Sequence, residues 1–256
     1  MILSTFCHIK GIGLRLESRL WKAGIKDWEA ALRKDNLPVL QRILGRFPAE
    51  SFQKEIETSF HHYNTKNFKA LGESLQAGEL WRLLDDFLPE ALFLDIETGT
   101  DETDNQNITV LGTYKAAEGY RCFVYGQNRE EFPIFFESHQ LIVTFNGTRF
   151  DLPAIKATFP GISDPQLHVD LFHISRRAGL KGSLKKLEKL FGIVREEEID
   201  GLNGYDAVKL WSAWFQEGDK KALELLIKYN RADTVNLKSL AESLVASLKK
   251  KLHQKD

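Results

Sequence analysis

The chain is predicted to be an α/β protein with a mixed sheet flanked by helices, preceded by a small all-helical module. Three observations predict it. Residues 1–89 carry apolar positions at helical spacing without strand-like alternation. Three stretches rich in β-branched and aromatic residues then follow, a short helix leads to a fourth, and the remainder is predicted to be helical. Finally, the apolar run ALFLDIETG, residues 91–99, ends in two carboxylates, Asp95 and Glu97, with one residue between them. Side chains two apart on a strand share a face, so both acids point one way while Ile96 points into the opposite layer. Two like charges held that close repel and drive one pKa up unless a cation sits between them. A divalent metal is the natural resolution; the alternative is an acid pair that is only the polar exit of the strand into solvent.

Composition bounds the class. At 256 residues the chain accommodates one large domain, or a medium domain with an appendage. A content of 43% hydrophobic and 11% aromatic residues supports a sizeable core, and 35 Lys and Arg against 36 Asp and Glu give no global charge that advertises a nucleic-acid partner. The two cysteines, Cys7 and Cys122, are far apart in apolar or aromatic surroundings and read as reduced thiols. MILSTFCHIKGIG lacks the features of a signal peptide, and no apolar run reaches the roughly 18 residues that span a membrane. Cytoplasmic residence is therefore expected.

In the N-terminal module, Gly11 and Gly13 precede an amphipathic run with Leu16, Leu20 and Trp21 at helical spacing, and Gly24 is placed to stop it. The GIG turn opens onto a helix N-terminus, where backbone amides can hold a phosphate without reading a base; a tight turn between packed helices is the alternative. The segment resembles the glycine hairpin of helix-hairpin-helix DNA-binding elements, although an apolar first helix is not evident in the ten residues before Gly11. Further helices are predicted over Leu37–Phe47, broken by Pro48; over Ala49–Tyr63, with Phe52, Ile56 and Phe60 as a core stripe; and over Leu80–Leu88, closed by Pro89. His61 and His62 read as a surface feature at a helix end. The expected division is 1–89 for this module, 90–248 for the main domain and 249–256 for a basic tail, whose Lys249 to Lys251 favour the helix dipole.

The main domain opens with strands over 91–98, 107–116 and 120–125, a meander whose polar loop 100–106 carries the solvated acids Asp101, Glu102 and Asp104. A helix near Arg129–Glu137 leads to a fourth strand, LIVTFNG at 141–147, buried on both faces. Directly after it, Asp151 precedes Leu152 and Pro153, with the proline in the first turn of a new helix. Asp151 reads as an N-cap, and an N-cap at the end of a central strand also faces the crevice where α/β sheets bind ligands. In KYNRADTVNL, Tyr229 and Asp233 are four apart on a helix whose apolar face carries Leu223, Leu226, Ile227, Leu237 and Leu240, so hydroxyl and carboxylate can reach one site.

Asp95 and Glu97 in LDIET, Asp151 in NGTRFD, and Tyr229 with Asp233 in YNRAD resemble, in order and character, the three exonuclease motifs of the DEDD superfamily, which has a ribonuclease-H-like fold. The tyrosine places the resemblance in the tyrosine subtype, since the position where the histidine subtype carries histidine is Lys228. The chain also resembles the bacterial YprB-like group, in which a stretch like Asp170–Ile193 and an N-terminal GIG segment accompany the nuclease domain. The nuclease resemblance spans roughly Glu90 to Leu244. It implies Asp95, Glu97, Asp151 and Asp233 as ligands of two ions, with Asp95 on the central strand bridging them. Hard oxygen donors suit Mg²⁺ or Mn²⁺ and not zinc. Tyr229 would position the attacking water; a tyrosine with a pKa near 10 is a poor base at neutral pH. The implied activity is 3′-to-5′ release of nucleoside monophosphates.

Candidate nucleic-acid contacts are Thr98 and Asn146 beside the acids, Phe150 as a base-stacking ring or a hydrophobic staple to the core, and the basic stretch Arg176, Arg177, Lys181, Lys185, Lys186 and Lys189, which can otherwise be a solvated helix face. Gly11 and Gly13 are candidates for duplex contact. His168 and His173, which bracket Asp170, are assigned structural or hydrogen-bonding roles, and Leu210, Trp211 and Trp214 are assigned to the core. The expected partner is single-stranded DNA or RNA; nothing in the sequence senses a 2′-hydroxyl. Two other functions fit the same motifs: a non-catalytic nucleic-acid-binding module, against which the presence of all four carboxylates weighs, and an endonuclease acting on structured ends.

Overall fold

The computed structural model describes residues 1–99 and 108–253, so the predicted acidic loop, Asn107 and the last three residues lie outside it. The chain divides into two compact units, residues 1–88 with 245–256, and residues 89–244.

The first unit contains helices α1 (Leu14–Lys22), α2 (Trp28–Leu32), α3 (Leu37–Leu44), α4 (Ala49–Asn64), α5 (Phe68–Glu73) and α6 (Trp81–Phe87). Local chemistry sets their ends. Gly24, at φ +88, turns the chain after α1, and the Asp27 carboxylate caps α2 by accepting the Ala30 amide at 2.7 Å. Helix α3 stops at Gly45, φ +65, short of the predicted Phe47, because a glycine free to adopt positive φ ends the helix before Pro48 is reached. Phe52 and Ile56 are fully buried, as their spacing predicts. No helix precedes the GIG turn beyond the single 3₁₀ turn Ile2–Ser4.

A charged cluster lies inside this unit. Arg82, with no exposed surface, donates to Glu17 at 3.0 Å and to Glu79 at 2.9 Å, while Glu17 also accepts from the Thr5 hydroxyl at 2.5 Å and the Phe6 amide at 2.8 Å. Glu17 thereby ties the irregular N-terminal segment to α1 and α6.

The second unit is built on a five-stranded sheet of order β3-β2-β1-β4-β5, with β1 (Leu92–Thr98) at its centre, then β2 (Ile108–Lys115), β3 (Gly119–Val124), β4 (Leu141–Thr144) and β5 (Leu167–Asp170). Strands β1, β2 and β3 pair antiparallel, whereas β4 and β5 run parallel to β1. The fifth strand corrects the expectation that the chain is helical after β4. It is only four residues long, below what alternation can signal, and exists because Leu167 to Asp170 pair along Leu141 to Thr144. The predicted fourth strand likewise ends at Thr144, and the predicted helix at Arg129–Glu137 is a 3₁₀ turn followed by α7 (Phe132–Glu137).

Two layers cover the sheet. Leu92, Leu94 and Ile96 of β1 join Leu111, Phe123 and Ile142 beneath Phe132 and Phe136 of α7 and Ile155 of α8 (Asp151–Thr158). On the other face, Val110 and Val124 pack with Trp211 of α12 (Gly204–Glu217) and with Leu223, Leu226 and Tyr229 of α13 (Lys220–His253). Trp211 is buried as predicted; Leu210 and Trp214 are only partly so. Between these elements lie α9 (Leu171–Arg177), α10 (Leu184–Phe191) and α11 (Glu197–Asp200).

Arg82→Met removes the cation that Glu17 faces inside the unit, and is expected to destabilise the protein by about 3–5 kcal/mol in urea denaturation. A loss within about 0.5 kcal/mol would show that the cluster contributes nothing beyond its packing volume.

Candidate metal centre

The central strand delivers Asp95 and Glu97 to the face covered by α12 and α13, and Ile96 to the opposite core, as alternation requires. Glu97 is buried and Asp95 half-buried, so the pair is not the strand's exit into solvent. The register sets Asp95 opposite Gly112 of β2. A Cβ at that glycine would stand 1.9 Å from the Asn230 side-chain oxygen and 2.5 Å from the Thr234 hydroxyl. Glycine is thus what lets α13 lie directly on the strand.

Asn230, fully buried, uses that proximity. Its Nδ2 faces the Asp95 carbonyl at 3.3 Å, Asp95 Oδ2 at 3.2 Å and Glu97 Oε1 at 3.4 Å. The Tyr120 hydroxyl donates to Asn230 Oδ1 at 2.9 Å, which orients the amide with its donors toward the acids. One turn on, Asp233 completes a cluster with Asp95 and Glu97 in which one oxygen from each lies within 4.8 Å of the others. Asp151 joins them in lining one cavity of about 250 Å³, together with Thr98, Phe145, Asn146, Phe150, Gly204, Val208 and Tyr229.

Asp151 reaches this cavity differently from the way expected. It is the first residue of α8 and not its N-cap, a position held by Phe150. The loop before it is ordered by Asp170, at the end of β5, which accepts the Asn146 amide at 2.7 Å, the Thr148 hydroxyl at 2.8 Å, the Thr148 amide at 3.2 Å and the Phe172 amide at 3.0 Å. Asn146 adopts φ +64, a left-handed conformation that asparagine tolerates better than most residues, and Gly147 has no room for a Cβ, which would sit 2.2 Å from the Thr144 hydroxyl. His168 pairs with that hydroxyl at 2.8 Å, the structural role expected of it, and burial pulls its pKa down to about 4.

The electrostatics follow from crowding. Burial, then the charges of Asp233, Glu97 and Asp151, raise the Asp95 pKa well above the ordinary carboxylate range. Burial and Asp233 do the same for Glu97, partly offset by its hydrogen bond from Asn230. Burial, opposed by its own amide and assisted by Asp170, brings Asp151 to about 7. Burial and the neighbouring Asp233 push the Tyr229 hydroxyl further above its usual value. The site therefore holds more carboxylate than its own cations neutralise, and its donor set is all oxygen, which suits a hard divalent ion.

The predicted contacts separate into groups. Thr98, Asn146 and Phe150 line the cavity; Phe150 is 52% exposed, so it is not a staple into the core. Of the basic stretch, Lys185 stands over the Tyr229 ring at 4.6 Å and donates to the Leu202 carbonyl. Arg176 lies over the Phe172 ring at 4.9 Å, and Lys181 is exposed. Gly11 and Gly13 belong to the other unit; Gly11 has φ +90 and Gly13 is the exposed N-cap of α1. Lys228 is half-exposed and paired with Glu198 at 2.7 Å.

Sequence reasoning missed Gly112, Asn230, Asp170 and the pair Glu188 and Arg195. Gly112, inside a β-rich run, carried a signal, since such glycines mark close backbone approach. Arg195 carried none: buried against Glu188, it also pairs with Asp233, 38 positions away.

This fold and site define a ribonuclease-H-like domain with an acidic cluster on its central strand. A family model described as the RNase_H superfamily matches residues 92–245, more than half of the chain, and the chain belongs to that superfamily. No curated protein matches it. Among solved structures it is similar to the family B DNA polymerase of the hyperthermophilic archaeon Pyrobaculum calidifontis, at 18% identity and a TM-score of 0.49, over 60% of this chain and 24% of that one. The chain thus spans about a quarter of that polymerase's length. Among the described residues no helix is long and apolar enough to cross a membrane.

Gly112→Ala forces Asn230 and α13 away from β1. The expected cost is about 1–3 kcal/mol of stability, read by urea denaturation. A variant as stable as wild type would mean that α13 accommodates the methyl group without moving off the strand.

Proposed function

We propose that this protein is a metal-dependent nuclease of the tyrosine DEDD kind that removes nucleotides from the 3′ end of single-stranded nucleic acid. The observation that carries the reading is the meeting of Asp95, Glu97 and Asp233, from chain segments more than 130 residues apart, with oxygens within 4.8 Å of one another, in a cavity shared with Asp151 and Tyr229. Asp95, Glu97, Asp151 and Asp233 would hold two Mg²⁺ or Mn²⁺ ions. Bound there, such ions acidify a water and relieve charge on the leaving oxygen.

This chain's own residues supply position. The raised pKa keeps the Tyr229 hydroxyl protonated, so it holds the attacking water by hydrogen bonding and does not take its proton. Asn230 fixes Asp95 and Glu97. A cavity of about 250 Å³, with the exposed Phe150 ring at its lining, suits one nucleotide unstacked from its neighbours better than a duplex. The 3′-to-5′ direction and the kinship with the YprB-like group rest on the motif resemblance. Duplex contact through the GIG turn rests on the exposure of Gly11 and Gly13 just ahead of the N-terminus of α1.

The deciding experiment is a time course on 5′-labelled single-stranded DNA and RNA with Mg²⁺, Mn²⁺ or chelator. A metal-dependent ladder shortening from the 3′ end is expected, with Asp95→Ala and Asp233→Ala each slower by more than the roughly 100-fold that losing an outer partner of a metal ligand costs. Discrete internal products would favour the endonuclease, and a mobility shift without cleavage the binding module.

Metal and pH are linked in a defined direction. Without metal, the folded protein keeps protons on Asp151 between the ordinary 3.8 and about 7, where the unfolded chain has released them, so stability from this group falls as pH rises through that window. Metal competes with those protons. Millimolar Mn²⁺ is therefore expected to raise the Tm more at pH 8 than at pH 6, by thermal scans; an equal shift at both would separate the ion from these carboxylates.

A further inference from the structure

We infer that Arg195, held in place by Glu188, is a positioning residue that fixes the Asp233 carboxylate for metal binding; the inference rests on the metal-centre reading above. Arg195 follows α10, and its side chain is 2% exposed. Its Nε donates to Glu188 Oε2 at 2.8 Å and its Nη2 to Glu188 Oε1 at 2.8 Å, a two-point grip that fixes the plane of the guanidinium. Asn236, one turn beyond Asp233 on α13, donates to Glu188 Oε1 at 2.9 Å and ties the grip to the same helix. From that plane Nη2 also reaches Asp233 Oδ1, leaving Oδ2 outside the pair.

Two features separate this arrangement from a stabilising ion pair. Buried ion pairs contribute little to stability against apolar residues of equal volume, so a gain in folding does not by itself account for this one. The charge count also matters. Arg195 is shared between Glu188 and Asp233, one cation facing two carboxylates, and Asp233 keeps Oδ2 outside the pair. Partners that orient metal ligands in this way typically account for 10–100-fold in metal affinity.

The test is a Mn²⁺ titration of the full chain, with free ion read by electron paramagnetic resonance, beside a thermal scan of each variant. Arg195→Met alone would strand Glu188, so the informative variant is the double Glu188→Gln with Arg195→Met, alongside Arg195→Lys, which keeps the charge and loses the fork. Both are expected to bind Mn²⁺ about 10–100-fold more weakly than wild type while melting within a few degrees of it. In an Asp233→Ala background, Arg195→Lys is expected to cost nothing further. Wild-type affinity in either folded variant, or a further tenfold loss in the Asp233→Ala background, would overturn the positioning role. Absence of Mn²⁺ binding by the wild type itself would instead remove the metal-centre reading, and the inference with it.

Discussion

The close approach of α13 to the central sheet, made possible by the missing side chain at Gly112, is the constraint on which the site depends. It brings Asn230 within hydrogen-bonding distance of both β1 carboxylates and puts Asp233 beside them. Tyr120, from the edge strand, fixes the amide, and Thr234 donates to the Asn230 carbonyl at 2.8 Å. A buried amide that serves two acids is stable only if its own carbonyl is satisfied, and the Tyr120 hydroxyl does that. The position of the acids is thus decided by packing between a strand and a helix far apart in the chain.

Each unit also buries an arginine between carboxylates, to different ends. Arg82 is enclosed by Glu17 and Glu79, both in its own unit. Arg195 is gripped by Glu188 but extends to Asp233, a residue that lines the cavity. The chemistry is the same, a planar cation matched to carboxylate geometry. What differs is whether one of the acids has further work to do. The Asp170 carboxylate plays a comparable part at the other wall, where four donors from the loop after β4 and the start of α9 converge on it.

Much of this was legible in the chain. The apolar run ending in Asp95 and Glu97 declared a buried strand with two acids on one face, because alternation is a local property of extended backbone. The positions of Tyr229 and Asp233 one turn apart declared a shared face, because helical spacing is equally local. Glycines and prolines marked both ends of α1 and α3, the start of α4 and the close of α6. The fifth strand was not legible, since four residues carry too little pattern and its existence depends on pairing with β4. Phe150 allowed two readings in the sequence, a stacking ring or a staple to the core, and its 52% exposure at the N-cap of α8 removes the second.

The sequence by itself determined the class of fold, the order of the acidic motifs and the face each acid takes on its own element, since these follow from backbone periods of two and 3.6 residues. Only the tertiary structure decided that three of those acids meet, that Gly112 and Asn230 make the meeting possible, and that Glu188, Arg195 and Asp170 hold its edges. The physical reason is that contacts such as Asn230 to Asp95, 135 positions apart, and Arg195 to Asp233, 38 apart, leave no periodic trace in the chain.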